Sequence, residues 1–207
     1  MLTRESLGAA LKGVAAVMEE NRQMLIEMDQ RNGDGDLGIS MAQGYGAASR
    51  YVEGAQEDDL GRLFVGMSKA FNEAAPSTLG TITSLFLMGA AKALKGNAQA
   101  DLALTALALR EGLNRIAERA GSKTGEKTIL DAWDPAVRFL ELNTKLPAAE
   151  AFAGAAKAAR AGADSTAAMP AVHGRAAYSG EKAIGLVDGG AVAGALVFEA
   201  IAEAVKA

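Results

Sequence analysis

Three aspartates crowd a short glycine-containing stretch, DQRNGDGD, in the first quarter of the chain. They are Asp29, Asp34 and Asp36, and they lie among residues that are mostly apolar and rich in alanine. Carboxylate oxygens are hard ligands that suit Mg²⁺ or Ca²⁺. Because three carboxylates held together without a cation would repel one another, the spacing favours a divalent metal site.

Two alternatives to a magnesium site arise from the same stretch. A calcium-binding EF-hand loop starting at Asn32 would need glycine where Leu37 lies and glutamate where Gln43 lies, so the EF-hand is rejected. Spacing alone is equally compatible with an aspartate–glycine turn followed by a helix cap. The concentration of charge favours the metal.

A second candidate site is the sequence PSTLGT, residues 76–81, which opens a predicted helix. Ser77 and Thr78 are good N-cap residues, and Gly80 allows a close approach to the backbone. Free N–H groups and the helix dipole make such an end suitable for an anion. An ordinary capped helix has the same pattern, so both interpretations stay open.

A third candidate lies late in the chain, where Arg175 is followed by Asp188, Gly189 and Gly190 before the last predicted helix. Arg175 is suited to pair with a phosphate, and Asp188 to cap the helix or to meet a cation. Taken singly, each is also typical of a surface salt bridge or a loop.

Two other motifs are not assigned a role. Residues 121–128, GSKTGEKT, are similar to a phosphate-binding P-loop, but Glu126 occupies the second glycine position and no strand precedes it. His173 has no histidine partner and the chain has no cysteine, so His173 is not assigned as a metal ligand.

The composition favours an all-α fold. Half of the 207 residues are apolar but only 5% are aromatic, and alanine, the best helix former, dominates the apolar share. Apolar residues recur at helical spacing along nearly the whole chain. We predict a single domain, residues 1–207, built as a barrel or bundle of about eight antiparallel amphipathic helices joined by short connections.

The predicted helices span 2–29 with a break near Asn21, then 38–54, 57–74, 77–96, 99–121, 128–143, 147–165 and 191–207. Pro135 is expected to bend its helix, and Gly162 to lie near the end of the next one. Two connections are unusual, because residues 121–128 are polar and residues 162–189 are long and rich in glycine. Such loops in a compact domain are typical of functional segments.

Charge and cysteine content exclude several classes of protein. The net charge is −4 with scattered basic residues, which argues against nucleic acid as a partner. The absence of cysteine excludes disulfides and thiolate chemistry and fits a cytoplasmic protein. No uncharged apolar run reaches the length of about 18 residues that a membrane span needs, and no signal-peptide pattern is present.

Four motifs in order resemble one family. DQRNGDGDLGISM, STLGT, GEKTILDAWDPA and GRAAYSGEKAIGLVDGGA together resemble the L subunit, or nucleotide-binding domain, of dihydroxyacetone kinases, over nearly the whole chain. The resemblance implies a barrel of eight antiparallel helices that binds ADP or ATP at one end through two Mg²⁺ ions. Asp29, Asp34 and Asp36 match the family's metal-binding aspartates.

The same resemblance implies a set of nucleotide-binding residues, which follow the third aspartate, open two helices and line the late loop. They are Leu37, Gly38, Ser40, Met41, Ser77, Thr78, Gly80, Gly121, Ile129, Arg175, Asp188, Gly189 and Gly190.

The resemblance also implies partners. In the family, a histidine of a separate K-type subunit holds dihydroxyacetone covalently, so no catalytic residue is expected in this chain. The activity implied is phosphoryl transfer to an alcohol group of a triose or tetrose, with that partner present. The nucleotide is either recharged by a phosphotransferase-system protein or exchanged as free ATP. A homodimer of the chain is compatible with this arrangement.

Three positions depart from the family pattern. Leu37 and Ser40 replace the usual histidine and asparagine, and Gly189 replaces the usual proline. These departures fit a divergent branch that acts on another small sugar. Two alternatives stay open: the nucleotide domain of a fatty-acid-kinase-like system, against which GRAAYSGEKAIG argues, and a nucleotide-sensing regulatory module without transfer activity.

Overall fold

A computed structural model of the chain describes residues 1–31, 33–174, 177–178 and 183–206. This described part contains nine α-helices and a short 3-10 helix, Thr166–Ala168, and its single β-type pairing is an isolated bridge between Leu2 and Ala100. The all-α prediction is therefore confirmed. The helices are α1 Arg4–Glu20, α2 Arg22–Gln30, α3 Leu37–Gly54, α4 Leu60–Ala74, α5 Thr78–Leu94, α6 Leu102–Ala120, α7 Leu130–Leu142, α8 Ala148–Ser165 and α9 Gly189–Lys206.

Eight of these helices close a ring. Helix α1 packs against α3, each helix from α3 to α8 packs on the next one in the chain, and α9 returns to α1. The shorter helix α2 packs mainly on α3 and α9. Short connections make the consecutive helices from α3 to α8 antiparallel, whereas the connection from α8 to α9 is longer. The predicted barrel is confirmed, with α2 as an additional short helix.

Small residues allow the helices of the ring to lie close together. A Cβ atom added to Gly89 in α5 would lie 2.4 Å from the carbonyl oxygen of Glu111 in α6. The few aromatic side chains pair across the interior, where the ring centroids of Phe86 and Trp133 are 4.5 Å apart. This close packing explains how a chain with so few aromatic residues still forms a continuous core.

The helix boundaries agree with prediction to within about three residues. The break near Asn21 is confirmed, because its side-chain amide donates to the carbonyl of Val17 at 2.9 Å where α1 ends. The predicted end of α8 at Ser165, three residues after Gly162, is also confirmed. Gly162 has in addition a packing role: a Cβ atom there would lie 2.0 Å from the carbonyl oxygen of Asp131 in α7.

That carbonyl of Asp131 lies four residues before Pro135, which is inside α7 and has no N–H to donate to it. The glycine on α8 therefore meets α7 where the proline interrupts the hydrogen-bond ladder. Among the described helices, none combines the length and the apolar composition needed to cross a membrane.

Candidate functional site

The N-terminal ends of four helices meet at one end of the barrel. In an antiparallel ring every second helix points the same way, which places the starts of α3, α5, α7 and α9 together. A Cβ atom added to Gly190, at the start of α9, would lie 3.8 Å from both Ile129 N and Leu79 Cδ2. Ile129 immediately precedes α7 and Leu79 lies in the first turn of α5, so these three helix starts are in contact.

The start of α9 also reaches α2 and α3. A Cβ atom added to Gly189 would lie 2.8 Å from Leu37 Cδ2 and 3.9 Å from the backbone nitrogen of Asp29. The first N–H groups of a helix lack partners within that helix, and the helix dipole is positive at this end. Four such ends converging on one place form an environment that favours an anion.

The three aspartates lie at the edge of this convergence. Asp29 is in the last turn of α2, Asp34 lies in the following turn, and Asp36 immediately precedes α3. One carboxylate oxygen from each lies within 4.8 Å of the others, which is close enough for the three to share a cation. Asp29 is half-buried, whereas Asp34 and Asp36 are exposed.

The turn itself is fixed by Asp29. Its Oδ2 accepts a hydrogen bond of 2.7 Å from the N–H of Gly35, which has φ of +79°. That left-handed conformation favours glycine, so the glycine between the two exposed aspartates is explained by the backbone. The aspartate–glycine turn is therefore present, and the three carboxylates that would share a cation lie on it.

Ser77 forms the expected cap. Its hydroxyl accepts a hydrogen bond of 3.1 Å from the N–H of Gly80, in the first turn of α5. A Cβ atom at Gly80 would lie 1.9 Å from the carbonyl oxygen of Ala75. The requirement for glycine here therefore comes from the chain's own backbone, which doubles back closely before the helix.

The residues after the third aspartate are mostly committed to packing. Met41 is only 1% exposed and belongs to the core. A Cβ atom at Gly38 would lie 2.1 Å from the carbonyl oxygen of Arg22, so this glycine lets α3 cross α2. The N–H of Ser40 donates to the carbonyl of Asp36 at 2.8 Å. What this stretch can offer a ligand is the backbone at the start of α3 and the side chain of Leu37.

Asp188 caps the last helix, as its position predicted. Its Oδ2 accepts a hydrogen bond of 2.8 Å from the N–H of Ala191. Its own N–H donates to Thr166 Oγ1 at 2.9 Å, which joins the start of α9 to the end of α8.

The electrostatic environment of Asp188 is unfavourable for its charge. Burial raises the pKa of Asp188 to about 6, since a carboxylate loses hydration there. The hydrogen bond from Ala191 and the charge of Lys127 oppose this rise in pKa, whereas Asp131 and Asp29 add to it. Three carboxylates from α2, α7 and the start of α9 thus influence one another at this end of the barrel.

Comparison with known proteins identifies the family. The DAK2 domain family model matches residues 31–203. The chain belongs to the DAK2 domain family. A relative from Listeria innocua, the ADP-binding subunit DhaL of PEP-dependent dihydroxyacetone kinase 1, is 30% identical over 89% of this chain and 88% of its own length.

Other relatives of this DAK2 domain extend the comparison. The ADP-binding subunit DhaL of Escherichia coli PEP-dependent dihydroxyacetone kinase is 26% identical over 99% of both chains. L-erythrulose 1-kinase of Mycolicibacterium smegmatis is 31% identical over 94% of this chain, which spans 34% of that protein. The crystal structure of C. freundii dihydroxyacetone kinase in complex with AMP-PNP and Mg²⁺ superposes with a TM-score of 0.77 at 27% identity, over 95% of this chain and 33% of that one.

Two predicted site residues are not brought into the cluster by described contacts. Gly121 ends α6 in the left-handed conformation, with φ of +66°, and lies in the segment that leads to α7. Arg175 lies outside the described residues. Ile129, by contrast, is 3% exposed and lies next to the start of α9, so this predicted nucleotide-binding residue belongs to the cluster of this DAK2 domain.

Sequence reasoning missed Asp131, which shapes the loop between α6 and α7. Asp131 is 2% exposed and accepts hydrogen bonds from the N–H groups of Gly125 at 2.5 Å and Thr128 at 2.7 Å. An acidic residue in the first turn of a predicted helix, three positions after a threonine, was the available signal.

Sequence reasoning also missed Lys127. Its amine is buried, and it donates to backbone carbonyls of the segment that follows α8. The neighbouring Glu126 accepts hydrogen bonds from the backbone N–H of Lys123 at 2.9 Å and from His173 at 2.5 Å. Because Lys127 is committed in this way and α6 precedes the loop, rejecting a P-loop at residues 121–128 is supported.

Proposed function

We propose that residues 1–207 form one nucleotide-binding domain of a dihydroxyacetone-type kinase. It holds ADP or ATP together with Mg²⁺ and passes the phosphoryl group to a triose or tetrose on a separate K-type subunit. The observation that carries this proposal is the meeting of the Asp29, Asp34 and Asp36 carboxylates with four helix N-termini. One half of that arrangement suits cations and the other half suits phosphate oxygens.

The three carboxylates fit Mg²⁺, which prefers oxygen ligands in a compact arrangement. Bound Mg²⁺ supplies neutralisation of phosphate charge and orientation of the phosphate groups. We assign Asp29, Asp34 and Asp36 to hold this metal, and the resemblance to the dihydroxyacetone kinase family implies two ions.

The remaining residues of the cluster orient the nucleotide. Helices α3, α5 and α9 direct their N-terminal ends, which carry positive partial charge and backbone N–H groups, at the phosphates. The nucleotide therefore enters a preformed site. Ile129 is the apolar residue that the family resemblance places near the base, and the glycines at the start of α9 let the backbone approach closely. None of these groups needs to move a proton, which fits a transfer governed by positioning and charge.

The relatives support this assignment and favour one phosphoryl donor. Two relatives that match this chain over nearly their whole length are named ADP-binding subunits of PEP-dependent kinases, and a third is named PTS-dependent. Their names favour a bound ADP that is recharged by a phosphotransferase-system protein over the exchange of free ATP. Relatives about three times longer than the matched segment support a sugar-binding part that lies elsewhere.

Isothermal titration with ADP, in excess Mg²⁺ and in EDTA, tests the nucleotide site. We expect saturable binding only with Mg²⁺; equal affinity in both conditions would remove the metal from the proposal. A transfer assay then combines the domain, a K-type subunit and either ATP or a phosphorylated phosphotransferase protein. Sugar phosphate formed with one donor and not the other identifies the branch.

A nucleotide-sensing module is the second candidate, favoured by one observation. Leu37 replaces a polar residue of the family pattern and is 7% exposed against the start of α9. If Mg²⁺–ADP binds but no triose or tetrose is phosphorylated with any K-type subunit or donor, nucleotide sensing is the better assignment of function than phosphoryl transfer.

A further inference from the structure

Lys127 is a buried cation that the nucleotide site described above does not use. It lies in the loop between α6 and α7 and is 6% exposed. Its backbone has φ of +60°, the left-handed conformation that side chains other than glycine rarely adopt. Lys127 thus loses the hydration of its ammonium group and also holds a strained backbone conformation. Both unfavourable contributions to the free energy must be offset by the groups that its side chain binds.

The side chain binds three backbone carbonyls. The Nζ of Lys127 donates to the carbonyl oxygens of Thr166 at 2.7 Å, Ala183 at 3.0 Å and Leu186 at 2.5 Å. A lysine ammonium has three N–H donors and a neutral amine only two, so three acceptors match the charged form. Burial lowers the pKa of Lys127, and the charge of nearby Asp188 opposes that lowering.

The three carbonyls come from both ends of the segment between α8 and α9. Thr166 lies in the 3-10 helix that follows α8, whereas Ala183 and Leu186 lie just before α9. Two further hydrogen bonds join the same two ends, from Gly185 N to Ala167 O at 2.8 Å and from Asp188 N to Thr166 Oγ1 at 2.9 Å. Lys127 therefore lies at the junction of α7, the end of α8 and the start of α9.

This junction holds the N-terminal end of α9 in place. Leu186 is two residues before Asp188, which caps α9, and Gly189 follows, next to Leu37 and Asp29. A displacement of Leu186 would be passed through Val187 and Asp188 to the helix start that faces the aspartates.

We propose that Lys127 is a positioning residue for the nucleotide site, which clamps residues 183–188 to residues 166–167 and so fixes the N-terminal end of α9. This inference rests on the proposed nucleotide function for its effect on binding, but the clamp itself is independent of any ligand. Lys127 touches neither metal nor nucleotide in this role and acts through the backbone of α9.

Three variants test the clamp. Lys127→Met keeps the aliphatic stem and removes all three donors, and Lys127→Arg keeps a cation with differently directed donors. Lys123→Met is the matched control, because Lys123 is an exposed lysine of the same loop. Each is compared with the wild type by hydrogen exchange of the metal-free, nucleotide-free protein and by titration with Mg²⁺–ADP, well below the melting temperature.

For Lys127→Met we expect faster exchange confined to residues 183–192 and affinity for Mg²⁺–ADP weaker by about 10–100-fold, the scale on which a supporting residue affects a site. Lys127→Arg is expected to recover part of both, and Lys123→Met to match the wild type. In the transfer assay the apparent KM for the nucleotide should rise while kcat at saturation stays within about twofold. This pattern is expected when binding is weakened equally in the ground state and the transition state.

Unchanged exchange at residues 183–192, or Mg²⁺–ADP affinity within about twofold of the wild type in folded Lys127→Met, would overturn the proposal. If Lys127→Met does not fold, the same two measurements on Lys127→Arg decide it. A wild-type protein that binds no Mg²⁺–ADP would instead refute the nucleotide function, and hydrogen exchange alone would then settle whether Lys127 holds the segment.

Discussion

Asp34 and Asp36 are exposed at the end of the barrel, so their chemistry is separable from folding. Replacing either with asparagine removes a charged ligand and leaves the hydrophobic core intact. We expect nucleotide-dependent transfer to fall by about 10²–10³-fold, the cost of losing one group that stabilises developing charge. The melting temperature of the metal-free protein should stay the same or rise, because the remaining carboxylates repel one another less.

Asp58→Asn is the matched control for these variants. Asp58 is an exposed aspartate outside the cluster, and its ion pair with Arg4, at 3.3 Å, is of the surface type that contributes little. Its transfer rate should equal that of the wild type. A wild-type rate in Asp36→Asn, measured beside this control, would mean that the aspartate turn has no metal-binding role.

Asp188 gives the stability of the metal-free protein a pH dependence with a definite sign. Its folded-state pKa is raised from 3.8 to about 6, so the folded protein binds this proton more tightly than the unfolded chain does. The stability associated with this group is fully present below about pH 4 and is lost as the pH rises through about 6. Asparagine at this position keeps an oxygen that accepts the hydrogen bond from Ala191 and carries no charge.

Asp188→Asn should therefore raise the free energy of unfolding at pH 8 by about 3 kcal/mol, since one pKa unit corresponds to about 1.4 kcal/mol and the pKa of about 6 already includes the attraction to Lys127. At pH 4 the difference should vanish. Urea denaturation at both pH values, without metal or nucleotide, measures it. The same difference at both values would show that the carboxylate is not strained by burial.

At the scale of single residues, the sequence predicted contacts between residues that are near in the chain and missed those between distant residues. Asp29, Asp34 and Asp36 share one turn, so their spacing was enough to bring them together. The cap formed by Asp188 was equally local. The partners of Lys127 lie 39 to 59 residues away, so no local pattern predicted them. Gly80 was given a ligand-related role, but the close approach there is made by Ala75.

At the scale of helices, periodicity located every element of the ring and placed the end of α8 at Ser165, as in the structure. It gave Gly162 no role beyond lying near that end, whereas the structure uses this glycine for close contact with the carbonyl of Asp131. Such a contact depends on the partner helix and is invisible in the local sequence. The break at Asn21 was predictable because its side chain bonds within its own turn.

Two departures from the family pattern meet where α3 and α9 begin. Leu37 is buried, and a Cβ atom at Gly189 would lie 2.8 Å from its Cδ2. Gly189→Ala should gain up to about 1 kcal/mol of helix propensity and lose about 1–3 kcal/mol to overpacking. With Leu37→Ala in the same chain, the overpacking should disappear, so the two substitutions should couple favourably by about 1 kcal/mol.

Urea denaturation of the two single variants, the double variant and the wild type completes this cycle. Gly8→Ala is the control, because Gly8 lies inside α1 and a Cβ atom there meets only Val52 Cγ1 at 3.8 Å. It should stabilise the protein by about 0.5–1 kcal/mol in both the wild-type and Leu37→Ala backgrounds. Additive effects of Gly189→Ala and Leu37→Ala would mean that the two helix starts adapt independently.

For the whole molecule, closure of the ring explains why the site exists at all. The contact of α9 with α1 brings together helices from opposite ends of the chain, and alternation around the ring then gathers four N-termini at one end. Helix periodicity predicted the elements and their antiparallel order. It could not indicate which end would gather the aspartates, because that depends on the inserted helix α2, whose last turn carries Asp29.

Because the site is assembled from α2, α3, α5, α7 and α9, a ligand bound there should stabilise the whole domain. A ligand that binds only the folded state adds about 2.7 kcal/mol at 100 times its Kd. For a domain of this size that corresponds to about 5–10 °C in melting temperature. Mg²⁺ and ADP together should produce this shift, and ADP in EDTA should produce none. Differential scanning calorimetry over a range of ADP concentrations measures it, with Asp36→Asn expected to melt at one temperature throughout. A shift of equal size in Asp36→Asn would place the stabilising ligand away from the aspartate turn, and a shift limited to part of the transition would mean that the ring does not unfold as one unit.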